Sequence, residues 1–365
     1  MEGSSDRPLF TPGPLTTSRT VKQAMLRDLG SRDAEFLGVV ARVRAALLEV
    51  GGAPAGEWAC VPMQGSGTFG IESVLSTAVP RGGGLMVAVN GAYGRRMAGI
   101  GKRHGIATSV VEAPETQRIE AEAVDRALAS APEKPALLAV VHCETTTGLV
   151  NPIEAIAAAA HRHGVPCMID SMSGFGALPV DCASMPGVSW VVSSSNKCVE
   201  GVPGLSFVLA RRRDLEACEG RARTLSLDLW EQWRGLESDG QFRFTPPTHV
   251  ILALGRALEE LREEGGPPAR LARYARVQKI VVEGLRGLGY RTLLPDELLS
   301  PIITSFLYPD RPGFSFNAFA GRLADMGYVI YPGKVSNAPC FRVGSIGRLR
   351  ESDAAGLVRA VKTLG

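Results

Sequence analysis

Short apolar runs recur along the chain at 85–89 (Leu-Met-Val-Ala-Val), 107–111, 136–142, 166–170, 189–193 and 205–209. Between them lie stretches with apolar residues at helical spacing, such as Ile153 to His163. Alternation of that kind predicts βαβ units, and so a mostly parallel sheet covered by helices. Near residue 245 the pattern changes. Thr-Pro-Pro-Thr interrupts the chain, and His249 to Glu264 then reads as one long amphipathic helix ending in Gly-Gly-Pro-Pro. A charged helical segment at 268–288, a strand at Ile302 to Tyr308, a helix at 315–326, strands around Tyr328 to Tyr331 and Phe341 to Gly344, and a last helix complete a compact α+β unit. The chain is therefore expected to divide into an N-terminal arm (1–14), a large domain (15–248) and a smaller C-terminal domain (249–365). A length of 365 residues agrees with two lobes, because single cores stop growing near ~250–300 residues.

Composition narrows the function classes. With 40 Lys+Arg against 37 Asp+Glu the net charge is only +3, so nothing calls for nucleic acid or an anionic membrane as partner. Seven cysteines (60, 143, 167, 182, 198, 218 and 340) form no CxxC pair and no Cys/His metal spacing. They are expected to be free thiols in a reducing compartment, with no metal site. The N-terminus carries no apolar signal core and no apolar run approaches ~18 residues, so a soluble cytoplasmic protein is expected.

In open α/β sheets ligands bind beyond the carboxyl ends of strands, so the loops there are where chemistry is sought. Lys197 follows an apolar run and a cluster of small hydroxyl residues (Val-Val-Ser-Ser-Ser-Asn-Lys-Cys), which reads as an amine held at a strand end. Asp170 ends another run, Pro-Cys-Met-Ile-Asp-Ser. A carboxylate and a lysine at two strand ends meet the needs of pyridoxal 5'-phosphate: an acid to keep the ring nitrogen protonated and an amine to bind the carbonyl.

Gln64-Gly65-Ser66-Gly67-Thr68 follows the run Cys60 to Met63 and opens a helix, as a phosphate-binding turn or as an ordinary Ser/Thr cap. Tyr93, in Asn90-Gly91-Ala92-Tyr93-Gly94, is placed either to stack on a flat ring or to fill space between helix and sheet. His142 to Gly148 is dense in hydroxyls, either contacting a cofactor oxygen or capping the helix that starts near 152.

Five motifs in order then resemble the small-aminotransferase branch of fold-type-I pyridoxal-phosphate enzymes: Thr-Pro-Gly-Pro (11–14), Gly-Ser-Gly-Thr (65–68), Glu-Thr-Thr-Thr-Gly (144–148), Ile-Asp-Ser-Met-Ser (169–173) and Ser-Asn-Lys-Cys (195–198). Longer stretches, among them Asn-Lys-Cys-Val-Glu-Gly-Val-Pro-Gly, Ser-Leu-Asp-Leu-Trp, Ser-Pro-Ile-Ile-Thr and Tyr-Pro-Gly-Lys-Val-Ser, resemble the 2-aminoethylphosphonate–pyruvate transaminase group within it. The resemblance implies a fold-type-I α/β architecture, with a mostly parallel sheet in the large domain. It makes Lys197 the Schiff-base lysine and Asp170 the partner of the pyridinium nitrogen. It gives Ser66, Gly67 and Thr68 the cofactor phosphate, stacks Tyr93 on the ring, and puts Thr145 near the phenolic oxygen and Asn196 in the cofactor site. Thr245 and Thr248 match groups that a neighbouring subunit contributes, which implies a homodimer with shared active sites. Arg342 matches the arginine that binds the substrate's acid group.

The activity so implied is transfer of an amino group from 2-aminoethylphosphonate to pyruvate. Alternatives are an alanine (or serine)–glyoxylate aminotransferase, a lyase acting on a related aminophosphonate, a desulfurase using Cys340, and a cofactor-free binding domain. Two departures stand out: Arg27 to Asp33 adds arginines where the family places an acidic, aromatic-containing stretch, and the loop 51–58 is rich in Gly, Ala and Pro. The arginines are expected to border the substrate cavity.

Overall fold

The computed structural model describes residues 6–335 and 338–364. Twelve strands are present in the described residues: β1 (Trp58–Gln64), β2 (Gly84–Val89), β3 (Ala107–Glu112), β4 (Leu137–Val141), β5 (Cys143–Glu144), β6 (Leu149–Val150), β7 (Cys167–Asp170), β8 (Val188–Ser194), β9 (Leu205–Arg211), β10 (Ile303–Leu307), β11 (Tyr331–Pro332) and β12 (Cys340–Gly344). The α-helices are α1 (Arg19–Gln23), α2 (Ala34–Val50), α3 (Gly67–Ala78), α4 (Ala92–Arg103), α5 (Ala121–Ala129), α6 (Ile153–Arg162), α7 (Arg212–Glu216), α8 (Leu229–Ser238), α9 (Thr248–Glu264), α10 (Gly266–Gly287), α11 (Phe316–Asp325) and α12 (Glu351–Thr363).

Seven strands form the main sheet in the order β1-β9-β8-β7-β4-β2-β3. β8, β7, β4, β2 and β3 run parallel, whereas β9 is antiparallel to both β8 and β1. β1 therefore points the same way as the parallel set. One consequence governs the site: the carboxyl ends of β1, β2, β4, β7 and β8 lie along one edge of the sheet, where the loops identified from the sequence leave it. The sheet is wrapped by helices, so β4, β7 and β8 are buried along their whole length. Apolar runs without polar alternation are what strands covered on both faces require. β3, at the free edge, is largely exposed.

α9 lays Ile251, Leu254, Leu258 and Leu261 into the same core as the sheet. It ends at Gly265, whose φ of 105° is the left-handed turn that glycine adopts readily, and the prolines that follow start α10. From Val277 onward most buried apolar residues belong to a second core, built on the three-stranded sheet β10-β12-β11, while Ile302, Ile303 and Ile346 pack with Leu15, Cys143, Cys198 and Tyr274 in a third cluster. The N-terminal arm joins that lobe: Phe10 is fully buried in its core, its N–H donates to Val329 O at 2.9 Å, and its carbonyl accepts from Gly344 N at 2.9 Å. Of the stretch Tyr328 to Tyr331, only Tyr331 lies in a regular strand, while Val329 bridges to Leu9 of the arm.

Candidate active site

A cavity of about 260 Å³ opens at the carboxyl edge of the main sheet. Ser66, Gly67, Thr68, Tyr93, Thr145, Asp170, Asn196 and Lys197 all line it. These residues are scattered from 66 to 197 in sequence, and the parallel strands bring them together.

Lys197 projects from the turn after β8 and is half-buried; its Nζ donates to Pro12 O at 2.5 Å. Burial lowers the affinity of this amine for a proton, and Arg342 adds to the effect, against Tyr93, Cys198 and Asp170, which favour the charged form. The N-terminal arm comes so close that a Cβ on Gly13, whose φ is +117°, would lie 2.7 Å from Lys197 Nζ. A glycine is required there on both steric and backbone grounds.

Asp170, the last residue of β7, is held by Met172 N at 3.0 Å, and burial pushes its carboxyl up to about 6. His142 lies behind it, with Nδ1 3.0 Å from Ser171 Oγ, and burial takes the imidazole down to about 4, so it is neutral at pH 7.

Ser66 occupies the N-cap position of α3, yet its side chain makes no capping hydrogen bond. The simple-cap alternative thus lacks its defining contact. The hydroxyl and the open N–H groups of the first helical turn border the cavity, an arrangement suited to a phosphate.

Nor do the hydroxyls of 145–147 cap α6, whose N-cap is Pro152. Thr146 Oγ1 donates to Glu144 Oε1 at 3.2 Å, and Thr145 hydrogen-bonds the Tyr93 phenol. Although burial opposes it, that phenol loses its proton more readily than an ordinary tyrosine, because Thr145, Lys197, Lys334 and Arg342 all favour the phenolate. Tyr93 thus presents a polar end to the site as well as a ring, and the Arg96 guanidinium sits 4.9 Å from that ring's centre.

Arg342, on β12, is buried beside the site but is not among the residues that line the cavity. Its Nε donates to Pro332 O at 2.9 Å and its Nη1 to Thr145 O at 3.0 Å, which fixes the guanidinium beside Tyr93. Thr245 and Thr248 do not line the cavity: the Thr245 carbonyl accepts from Gln64 Nε2 on the surface, and Thr248 begins α9. Arg27 pairs with Glu35 at 2.8 Å and lines a separate groove between α2 and α9. The expectation that the arginines of 27–33 border the substrate cavity is not met for Arg27, which pairs with Glu35 of α2 and lines the other groove instead.

A family model for class-V aminotransferases matches residues 23–311. The chain is a class-V aminotransferase. It is 46% identical over 357 residues to the 2-aminoethylphosphonate–pyruvate transaminase of Salmonella paratyphi B, covering 97% of this chain and 96% of that one. The Klebsiella pneumoniae protein of the same name matches equally, at 46% over 97% of the chain. Among solved structures, an alanine–glyoxylate aminotransferase from Nostoc superposes with a TM-score of 0.89 at 25% identity, covering 99% of this chain and 96% of that one. The lysine–carboxylate pair fits pyridoxal 5'-phosphate, and the cofactor-free alternative loses ground.

Behind the cavity this aminotransferase carries a second charged cluster. Glu200, buried and held at a φ of 66°, accepts from Arg273 Nη2 at 2.7 Å and from Tyr274 Oη at 2.6 Å. Arg270, with no exposed surface, donates through Nη1 to Cys198 O and Val199 O at 2.9 and 3.1 Å, and through Nε to Glu264 at 3.0 Å. The turn bearing Lys197 is thereby tied to α9 and α10.

Arg96, Arg270 and Arg273 stand outside the motifs legible in the sequence, whereas Pro12, Glu144 and Glu200 fall within them without a role being assigned. Arg96 had a signal, since it falls three residues after Tyr93 on a helix and so shares its face. Glu144, buried at the start of the hydroxyl loop with its carboxyl pushed by burial up to about 7, receives the backbone N–H of Tyr93 at 3.3 Å. The desulfurase alternative fares poorly. Cys340 is buried in β12, paired with Leu307, and burial raises its thiol, the reverse of what a nucleophilic thiolate needs.

Proposed function

We propose that this class-V aminotransferase uses pyridoxal 5'-phosphate to transfer the amino group of 2-aminoethylphosphonate to pyruvate, giving phosphonoacetaldehyde and L-alanine. The observation that carries the reading is the meeting, in one cavity, of a lysine whose proton affinity burial depresses and a buried carboxylate, with an arginine held on the carbonyl of Thr145, one of the residues that line it. The donor and acceptor are those named for the Salmonella and Klebsiella relatives.

When bound, the cofactor supplies a carbonyl that takes up amino groups and a ring that accepts the electron pair left when a neighbouring carbon loses its proton. The residues supply the rest. Lys197 is an amine whose proton affinity is depressed by burial. That suits it to bind the carbonyl and, once released, to take the proton from the amine-bearing carbon and return it elsewhere. Asp170 would supply the counter-charge that keeps the ring nitrogen protonated. Ser66, Gly67 and Thr68 would hold the phosphate at the N-terminus of α3. Asn196, Thr145 and Tyr93 would contact the ring, and Arg342 would receive the acid group of the substrate through its planar fork.

We infer a homodimer as well. Thr245 is exposed, Thr248 half-buried, and Phe69, Leu225 and Phe244 around them are 49, 71 and 45% exposed. A partner that covers these side chains would receive the two threonines at its own phosphate site.

Incubation with 2-aminoethylphosphonate and pyruvate, followed by phosphorus NMR and alanine quantification, tests the reaction. Equal amounts of phosphonoacetaldehyde and alanine are expected. Turnover of alanine with glyoxylate, and none of the phosphonate, would transfer the assignment to the alanine–glyoxylate reading that the Nostoc likeness favours.

A further inference from the structure

Tyr93 lines the cavity from the first turn of α4, and that helix supplies no cap of its own. Its N-cap position holds Gly91, which has no side chain to accept the N–H groups that open a helix. An acceptor arrives instead from the loop after β4, the strand beside β2 in the sheet. Glu144, with no exposed surface, brings its carboxyl group to the start of α4. The Tyr93 N–H donates to it, with nitrogen 3.3 Å from both oxygens, and Gly94 N lies 3.5 Å from Oε2. These are the second and third residues of the helix, the pair that a Ser or Asp at the N-cap position would serve.

The fit is close on both sides. A Cβ on Gly91 would come within 2.2 Å of Glu144 Cγ and 2.3 Å of its Cδ. The φ of 178° at Gly91 is extended backbone open to any residue, so it is the approach of Glu144 that calls for a glycine in Asn90 to Gly94. Glu144 is itself fixed. Its carbonyl accepts from Gly148 N at 2.8 Å, closing the turn between β5 and β6, and Thr146 Oγ1 donates to its Oε1 at 3.2 Å.

The two loops do not depend on this carboxyl group to stay together. Asn90 and Asn151 exchange side-chain hydrogen bonds at 2.8 and 3.1 Å, and Asn151 Nδ2 also donates to Val141 O at 2.9 Å, a clasp that leaves Glu144 untouched. Nor does Glu144 pair with an opposite charge among the described residues, as Glu200 does with Arg273. Its place is beside the cavity: Cys143 and Thr145, on either side of it in the chain, line that cavity together with Tyr93.

We propose that Glu144 is a positioning residue for Tyr93, capping α4 from the neighbouring loop so that the aromatic ring is set before the cofactor arrives. The inference rests on the reading above in which Tyr93 contacts the cofactor ring. A side chain whose backbone is already fixed gives up less freedom on binding, and that preorganisation is felt as affinity. Glu144 therefore acts on the cofactor through Tyr93, and its effect disappears when the ring is removed.

Titration of the full-length apoprotein with pyridoxal 5'-phosphate, followed by the circular dichroism of the bound cofactor, reads the placement of the ring. Glu144→Ala should raise the Kd about fivefold or more, the worth of a lost helix cap, and weaken the dichroism. Glu144→Gln, whose amide oxygen accepts the same N–H groups, should stay within about twofold of wild type. Gly91→Ala displaces the carboxyl group from the other side and serves equally if Glu144→Ala does not fold. It should match the loss of Glu144→Ala when introduced alone, and add less than about twofold when the two are combined. In a Tyr93→Ala background, Glu144→Ala should likewise add less than about twofold. A full loss in that background, or affinity and dichroism unchanged in Glu144→Ala and Gly91→Ala, would overturn the role of Glu144. Tyr93→Ala that binds the cofactor with wild-type affinity and dichroism would instead overturn the contact between Tyr93 and the ring on which the inference rests.

Discussion

The turn that carries Lys197 has two sides with opposite treatments of charge. On the cavity side, titratable groups are buried without full compensation, so they shift: Lys197 is depressed, while burial pushes Asp170 up to about 6 and Glu144 up to about 7. On the far side, a few residues along, Glu200 and Glu264 meet Arg270 and Arg273 at 2.7 to 3.0 Å, and the arginine hydrogen bonds extend to backbone carbonyls of the turn itself. Perturbed groups are available for chemistry, whereas matched ones hold a backbone in place. The difference teaches that a buried charge is read by its partners. Burial alone does not separate a catalytic group from a structural one.

If that contrast is right, mutations on the two sides part along activity and stability. Lys197→Ala should abolish turnover, a fall of at least ~10²–10⁴-fold on loss of the proton carrier alone. It should also remove the long-wavelength absorbance of lysine-linked cofactor while leaving the thermal midpoint of the apoprotein unchanged or raised. Arg270→Ala should do the reverse in kind. It leaves Glu264 and the 198–199 carbonyls short of partners and should cost about 3–5 kcal/mol in denaturant unfolding. The double change Glu200→Gln with Arg270→Met should recover a good part of that, and purely additive losses would refute the compensation argument.

Arg342→Ala, at the junction of both lobes, should raise the KM for pyruvate about tenfold or more, from the ~1.5–3 kcal/mol of a charged hydrogen bond, with cofactor binding retained. Unaltered kinetics would remove Arg342 from the site.

The smallest effect concerns pH. With its folded pKa above the ordinary 3.8, the protonated Asp170 carboxyl contributes stability to the apoprotein that is fully present below about 3.8 and lost as pH rises through about 6. Cofactor binding has the opposite trend, because the ring nitrogen needs the ionised form, so affinity should climb across the same window. Asp170→Asn should flatten both curves. Calorimetry at several pH values reads the first and cofactor titration the second.

Much of this was legible in the sequence, for a physical reason. Apolar runs such as Leu137 to Val141 encode a strand wherever both faces are covered, and glycine-rich or hydroxyl-rich loops after them mark the sheet edge where ligands gather. Strand direction was not legible: Leu205 to Arg211 reads like its neighbours yet runs antiparallel, since hydrophobicity carries no sense of direction. The arm was likewise out of reach, because burial of Phe10 in the smaller lobe and the contact of Pro12 with Lys197 depend on tertiary packing alone. Arg270 reads locally as one more charge on a polar helix. Only the fold sets it against the carbonyls of Cys198 and Val199.

The most direct test of the central claim is a two-step spectral titration of the purified holoenzyme. Adding 2-aminoethylphosphonate alone should convert the absorbance of the aldehyde form of the cofactor fully to that of the amine form, and pyruvate added next should restore it. An aldehyde form that persists with saturating phosphonate, while L-alanine converts it, would contradict the account.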